Sequence, residues 1–97
     1  MSSSQKKLLA IFLEVSSATK SDELIYVSEW LFDWPGQSLE LGGVLLHKEY
    51  KLPDYNRKDL TALEELGYLL KESETTEDPV TLHKKIVYRF IPRQGLD

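Results

Sequence analysis

The sequence feature that most constrains the fold is a two-residue alternation near the end of the chain. Within residues 82–91, large apolar side chains occupy every second position, at Ile86, Tyr88 and Phe90, and Val87 lies at a position between them. Successive side chains of a β-strand point to opposite faces, so this pattern predicts a strand with one apolar face. Pro92 follows directly and ends it.

The start of the chain carries a different period. Leu8, Ile11, Phe12 and Val15 recur at spacings of three, four and seven, which predicts a first helix over residues 5–16. A helix at one end and a strand at the other indicate an α+β fold. A length of 97 residues indicates a single domain.

A second helix is predicted over residues 21–34. Thr19 and Asp22 resemble a capping box, and Leu24, Val27 and Leu31 share one face of a helix. Pro and Gly at positions 35 and 36 end it.

Residues 38–50 allow two interpretations. As a helix, the segment is capped by Ser38 and lined by Leu41, Val44 and Leu45; as a hairpin, two short strands flank a turn at Gly42 and Gly43. Each glycine costs a helix roughly 1 kcal/mol relative to alanine. We favour the helix because of the segments that follow it.

Those segments form a helix that ends in glycine, then a strand pair. Leu60, Leu63 and Leu66 line one face of the helix, and Gly67 provides a left-handed cap. A strand starts at residue 68, residues 73–81 are polar and predict an exposed loop, and residues 92–97 form a tail.

The order helix, turn, glycine-ended helix, strand, loop, strand resembles the winged helix-turn-helix superfamily. The resemblance covers residues 38–91, with the two helices of the motif over 38–67 and the wing over 68–91. It implies an α+β fold of three to four helices followed by a two-stranded wing hairpin.

The resemblance also implies a function. The helix starting near Asn56 would enter the major groove of duplex DNA, as expected of a transcriptional regulator that binds as a homodimer. Side chains able to contact bases or phosphates are Lys51, Asn56, Arg57, Lys58, Thr61, Lys84, Lys85 and Arg89.

The charge distribution supports an alternative. The chain has 12 basic and 16 acidic residues, a net charge of −4. Residues 21–50 hold one basic and six acidic residues, which gives −5, and the predicted wing loop is acidic too. Acidic groups oppose contact with phosphates. The alternative function is a protein-interaction module, either an adaptor or an acidic inhibitor, with Trp30, Phe32 and Trp34 as its interface.

The remaining composition argues against other classes of protein. No cysteine is present, and the two histidines lie 36 positions apart without a companion, so we expect no metal and no cofactor. No nucleophile, phosphate-loop or paired-acid motif indicates an enzyme. No apolar run reaches the roughly 20 residues that span a bilayer, and we expect a cytoplasmic protein.

Overall fold

The computed structural model describes residues 1–31, 34–52, 55, 57–78 and 83–92. Along these residues the elements are α1 (Ser3–Thr19), β1 (Glu23–Leu31), β2 (Trp34–Leu41), β3 (Val44–Leu45), α2 (Leu46–Glu49), α3 (Arg57–Glu65), β4 (Leu69–Asp78) and β5 (His83–Phe90).

The described strands form one antiparallel sheet in the order β3-β2-β1-β5-β4. β1 lies at its centre, where Leu24 is opposite Leu41 of β2 on one side and opposite Tyr88 of β5 on the other. The sheet is therefore completed by pairing an early strand with a late one.

α1 begins with a capping box. The Ser2 hydroxyl accepts a hydrogen bond from the Gln5 amide at 3.2 Å, and the Gln5 side chain accepts one from the Ser2 amide at 3.1 Å. The helix buries Leu8, Leu9, Phe12 and Val15, as its spacing predicts.

The core lies between the helices and one face of the sheet. Phe12 packs edge-on against Phe90, with ring centroids 5.8 Å apart, and Leu60 and Leu63 of α3 join them. The sheet residues buried in this core are Leu24, Tyr26, Leu39, Leu41, Leu69, Ile86, Tyr88 and Phe90.

The predicted winged helix-turn-helix fold is wrong. The predicted second helix is replaced by β1, in which Leu24 and Tyr26 are buried while Ile25 and Val27 alternate with them. Ile, Tyr and Val lose rotamer freedom in a helix and pack well on a pleated sheet. This segment consequently joins a five-stranded sheet instead of a helical bundle.

The predicted helix over residues 38–50 is wrong as well, and the hairpin interpretation holds. Gly42 and Gly43 have φ values of +59° and +85° and form a two-residue turn between Leu41 and Val44, which pair with each other. Positive φ at both central positions is what such a turn requires and what glycine allows at least cost.

The strand pair that follows α3 is also longer than predicted. Gly67, with φ of +89°, follows α3, and β4 then runs through residues 73–78, which composition assigns to a loop. Pairing with β5 outweighs the polar composition. β4 has irregular register at Lys71/Ser73 and at Thr76/Asp78, and bulges and charges of this kind discourage another strand from adding to a sheet edge.

Candidate functional site

The residues predicted to read DNA are divided between two sides of the molecule. Arg57, Lys58 and Thr61 lie on the exposed side of α3, in the helical layer. With Ala62 and Glu65 they line a shallow depression. Arg57 forms an ion pair with Glu74 of β4, so its guanidinium is already engaged within the chain.

The basic residues of β5 follow the alternation of that strand. Lys84 has the parity of the buried Ile86 and Tyr88, whereas Lys85 and Arg89 have the opposite parity and lie on the sheet face away from the helices. Arg57 and Arg89 are therefore separated by the whole sheet. No single surface collects the predicted set.

The other predicted positions are two of the DNA set and the three aromatic residues. Lys51 is exposed after α2, and Asn56 lies outside the described residues. Of the predicted aromatic interface, Phe32 also lies outside them. The backbones of Trp30 and Trp34 belong to β1 and β2, where Trp30 pairs with Pro35 and Trp34 pairs with Leu31. Their side chains lie outside the described part of the chain.

A group of tyrosines connects the sheet to the segment before α3. The Tyr26 hydroxyl donates to Oε1 of Gln37 at 3.0 Å, and Nε2 of Gln37 donates to the main-chain oxygen of Tyr55 at 2.9 Å. The hydroxyl of Tyr55 is buried and has no hydrogen-bond partner among the described residues.

Burial controls the ionisation of these tyrosines. It raises the pKa of Tyr55 to about 12, and it raises the pKa of Tyr88 to about 12, with the Glu64 carboxylate adding to the effect on Tyr88. It also raises the pKa of Tyr26, which the Arg57 guanidinium partly offsets. All three hydroxyls stay protonated at neutral pH, so they are poor general bases.

Metal-ligating side chains are not grouped in the described residues, where no cluster of three or more His, Cys, Asp or Glu could hold an ion. Nδ1 of His47 lies 3.5 Å from both the main-chain nitrogen and oxygen of Leu39, which relates α2 to β2.

The surface that the sequence interpretation missed is the sheet face turned away from the helices, which we call the open face. Ile25, Val27 and Val87 lie at its centre, are half-buried, and do not belong to the packed core. No element among the described residues packs over them. The described residues of the open face are Glu23, Ile25, Val27, Ser38, Glu40, Leu45, Leu70, Ser73, Thr75, Lys85, Val87 and Arg89.

Two exposed leucines lie toward the edges of the open face. Leu45 of β3 pairs with Glu40 of β2 and is 38% exposed. Leu70 of β4 pairs with Arg89 of β5 and is 51% exposed. Glu40 lies between Leu45 and Ile25, and Arg89 is the direct neighbour of Leu70, so charged side chains surround the aliphatic centre. Apolar surface rimmed by polar residues indicates an interaction surface.

Charge is divided across the open face. Glu23 and Glu40 lie on β1 and β2, and Lys85 and Arg89 lie on β5. Arg89 forms ion pairs with Glu72 at 3.2 Å and with Asp22 at 3.8 Å. The carboxylates of Glu23 and Glu40 and the ammonium of Lys85 have no ion-pair partner in the described part of the chain.

One signal in the sequence could have revealed this face. Residues 24–27 read Leu-Ile-Tyr-Val, apolar at both parities. A continuous apolar run is typical of a strand covered on both sides. In the structure one side of β1 is covered by helices, and the other carries Ile25 and Val27 without a covering element in the described residues.

Comparisons with protein-family models, curated proteins and solved structures find no significant match to this chain. Among the described residues, no helix has the length and apolar character needed to cross a membrane.

Proposed function

We propose that this chain is a non-enzymatic protein-interaction module and that the open face is its contact surface. The observation that carries the proposal is the position of Ile25, Val27 and Val87, which are half-buried on the face opposite the helical layer. The partner presents an aliphatic surface to these three side chains and charged groups opposite in sign to Glu23 and Arg89.

The alternation along β1 supports this function energetically. Covering an apolar side chain stabilises a complex by about 25 cal/mol per Å² removed from water. β1 has already buried Leu24 and Tyr26 within the chain, so Ile25 and Val27 are the side chains left to gain from a partner. We expect the protein to act in the cytoplasm.

The side chains of the open face fit a protein better than a nucleic acid. Its described apolar residues are aliphatic, whereas sheets that bind single strands use aromatic rings to stack bases. Glu23 and Glu40 on the same face would repel phosphates.

Site-specific photo-crosslinking in cells that express the protein tests this proposal. Benzoylphenylalanine is introduced at Ser73, which pairs with Val87 on the open face, and, as a matched control, at the exposed Thr61 of α3. We expect protein adducts from position 73, their loss in a Val87→Lys background, and none from position 61. Equal adducts from both positions, or none from position 73, would contradict the proposal.

A duplex-DNA titration at low salt provides a second arm. We expect no mobility shift of the duplex. If the duplex does shift and the Arg57→Ala variant no longer binds it, α3 is the functional surface instead.

A further inference from the structure

We propose that the open face is covered by the open face of a second copy of this chain, with a two-fold axis parallel to the strands between β1 and β5. This inference rests on the proposed function and names its partner. The resulting dimer is a sandwich of two sheets, each with its helices outside.

Register defines what such an axis brings together. On each copy, Ile25 of β1 is directly opposite Val87 of β5, and Glu23 is directly opposite Arg89. An axis that runs along the strands between β1 and β5 exchanges these two strands. Ile25 then lies over Val87 of the second copy, and Glu23 lies over Arg89 of the second copy.

Charge selects this axis over the other in-plane choice. Each Glu23 faces Arg89 of the second copy, so opposite charges meet twice in the interface. By the same register, Lys85 lies over Val27 of the second copy. An axis across the strands through Ile25 and Val87 would instead set Lys85 over Arg89, because these lie two residues to either side of Val87 on β5. Like charges in contact disfavour that arrangement.

The proposed pairing also agrees with general sheet geometry. Sheets that pack face to face lie about 10 Å apart with their strands aligned within about 30°. Ile25, Val27 and Val87 would fill that space, as small aliphatic side chains do between sheets. An interface formed by the same patch on both copies closes on itself and forms no filament.

Sedimentation equilibrium of the full chain tests the dimer. We expect a concentration-dependent species of twice the 11.2 kDa chain mass. Ile25→Lys alone and Val87→Glu alone should both be monomers, while an equimolar mixture of the two should form dimers. In the mixed dimer the introduced lysine meets the introduced glutamate, and the remaining contact keeps the native isoleucine and valine.

A second pair of variants uses two exposed positions that pair with each other on β1 and β5. Glu23→Arg alone and Arg89→Glu alone should each raise the dimer dissociation constant about tenfold or more, and mixing them should restore it. Leu66→Lys, at an exposed leucine directly after α3, should leave dimerisation unchanged. Circular dichroism checks the fold of every variant.

The outcomes separate this inference from the proposed function. A wild-type chain that remains monomeric, or mixtures that remain monomeric while the wild type dimerises, would overturn the face-to-face dimer. A monomeric wild type whose position-73 probe captures a different protein would overturn the dimer and leave the proposed function intact. A monomeric wild type with no adduct at position 73 would overturn both.

Discussion

At the scale of single residues, Gly42 ties the β2–β3 turn to the end of α1. Its amide donates to the main-chain oxygen of Glu23 at 3.1 Å, and a Cβ added there would lie 2.3 Å from Oγ1 of Thr19. The Thr19 hydroxyl is itself held, donating to the main-chain oxygen of Val15 at 2.8 Å. A Cβ added to the neighbouring Gly43 would have no such heavy atom within 4 Å.

We predict that Gly42→Ala destabilises the protein more than Gly43→Ala. Both changes place alanine at positive φ, which costs roughly 1 kcal/mol each. The clash with Thr19 adds a further 1–3 kcal/mol, approximately, at Gly42 alone. Urea unfolding of the two variants measures the difference, and equal midpoints would contradict the packing against Thr19.

The sequence predicts a turn at the two glycines, but it does not predict which side chain would clash with a Cβ at Gly42. Gly-Gly between two apolar segments indicates a hairpin, and this interpretation was open from the sequence. The contact with Thr19 depends on where α1 ends relative to the sheet. That position depends on tertiary packing, which spacing along the chain does not encode.

At the scale of elements, α1 is fixed to the sheet by Phe12. This ring is fully buried and meets Phe90 of β5 edge-on. The capping box at Ser2 starts the helix, but burial of its apolar side holds it in place, because most of the stability of a helix in a protein comes from packing of its apolar face.

Phe12→Ala should lower the free energy of unfolding by about 3–5 kcal/mol, through lost apolar contact and the cavity left behind. The matched control is Glu14→Ala, an exposed position on the same helix, for which we expect a change within about 0.5 kcal/mol. Thermal unfolding of both variants checks this. A small effect at Phe12 would mean that α1 is not part of the cooperative core.

Elements whose apolar residues fit only one spacing, helical or alternating, could be predicted from the sequence. Elements whose apolar residues fit both spacings could not. α1 and β5 follow their spacing. β1 satisfies a helical stripe through Leu24, Val27 and Leu31, and it satisfies alternation through Leu24 and Tyr26. Pairing with β2 and β5 decides between the two, and β5 lies near the other end of the chain, where the local sequence around β1 gives no sign of it. The open face could not be predicted once this segment was assigned to a helix.

At the scale of the whole molecule, buried tyrosines link stability to alkaline pH. The folded pKa values of Tyr55 and Tyr88 are about 12, against 10 for an ordinary tyrosine. Each hydroxyl therefore binds its proton more tightly in the folded state. Their contribution to stability is complete below pH 10 and is lost as the pH rises from about 10 to about 12.

We predict that Tyr88→Phe flattens this decline. Each ionising tyrosine contributes a slope of about 1.4 kcal/mol per pH unit between the unfolded and folded pKa values, and the variant removes one of them. Urea unfolding at intervals from pH 8 to 12 compares the variant with the parent chain, and the contribution of the lysines cancels. Tyr55→Phe should behave alike. Parallel curves for variant and parent would contradict the prediction.

The central place of β1 has a consequence for synthesis on the ribosome. β1, β2 and β3 emerge first and can pair locally, but the other edge of β1 receives β5 only after residue 90 has been made. Until then β1, with the apolar residues Leu24 to Val27, has an unprotected edge, which is the situation in which nascent chains associate wrongly. We therefore expect this protein to need a slow final step of strand docking, and to depend on chaperones more than its size suggests.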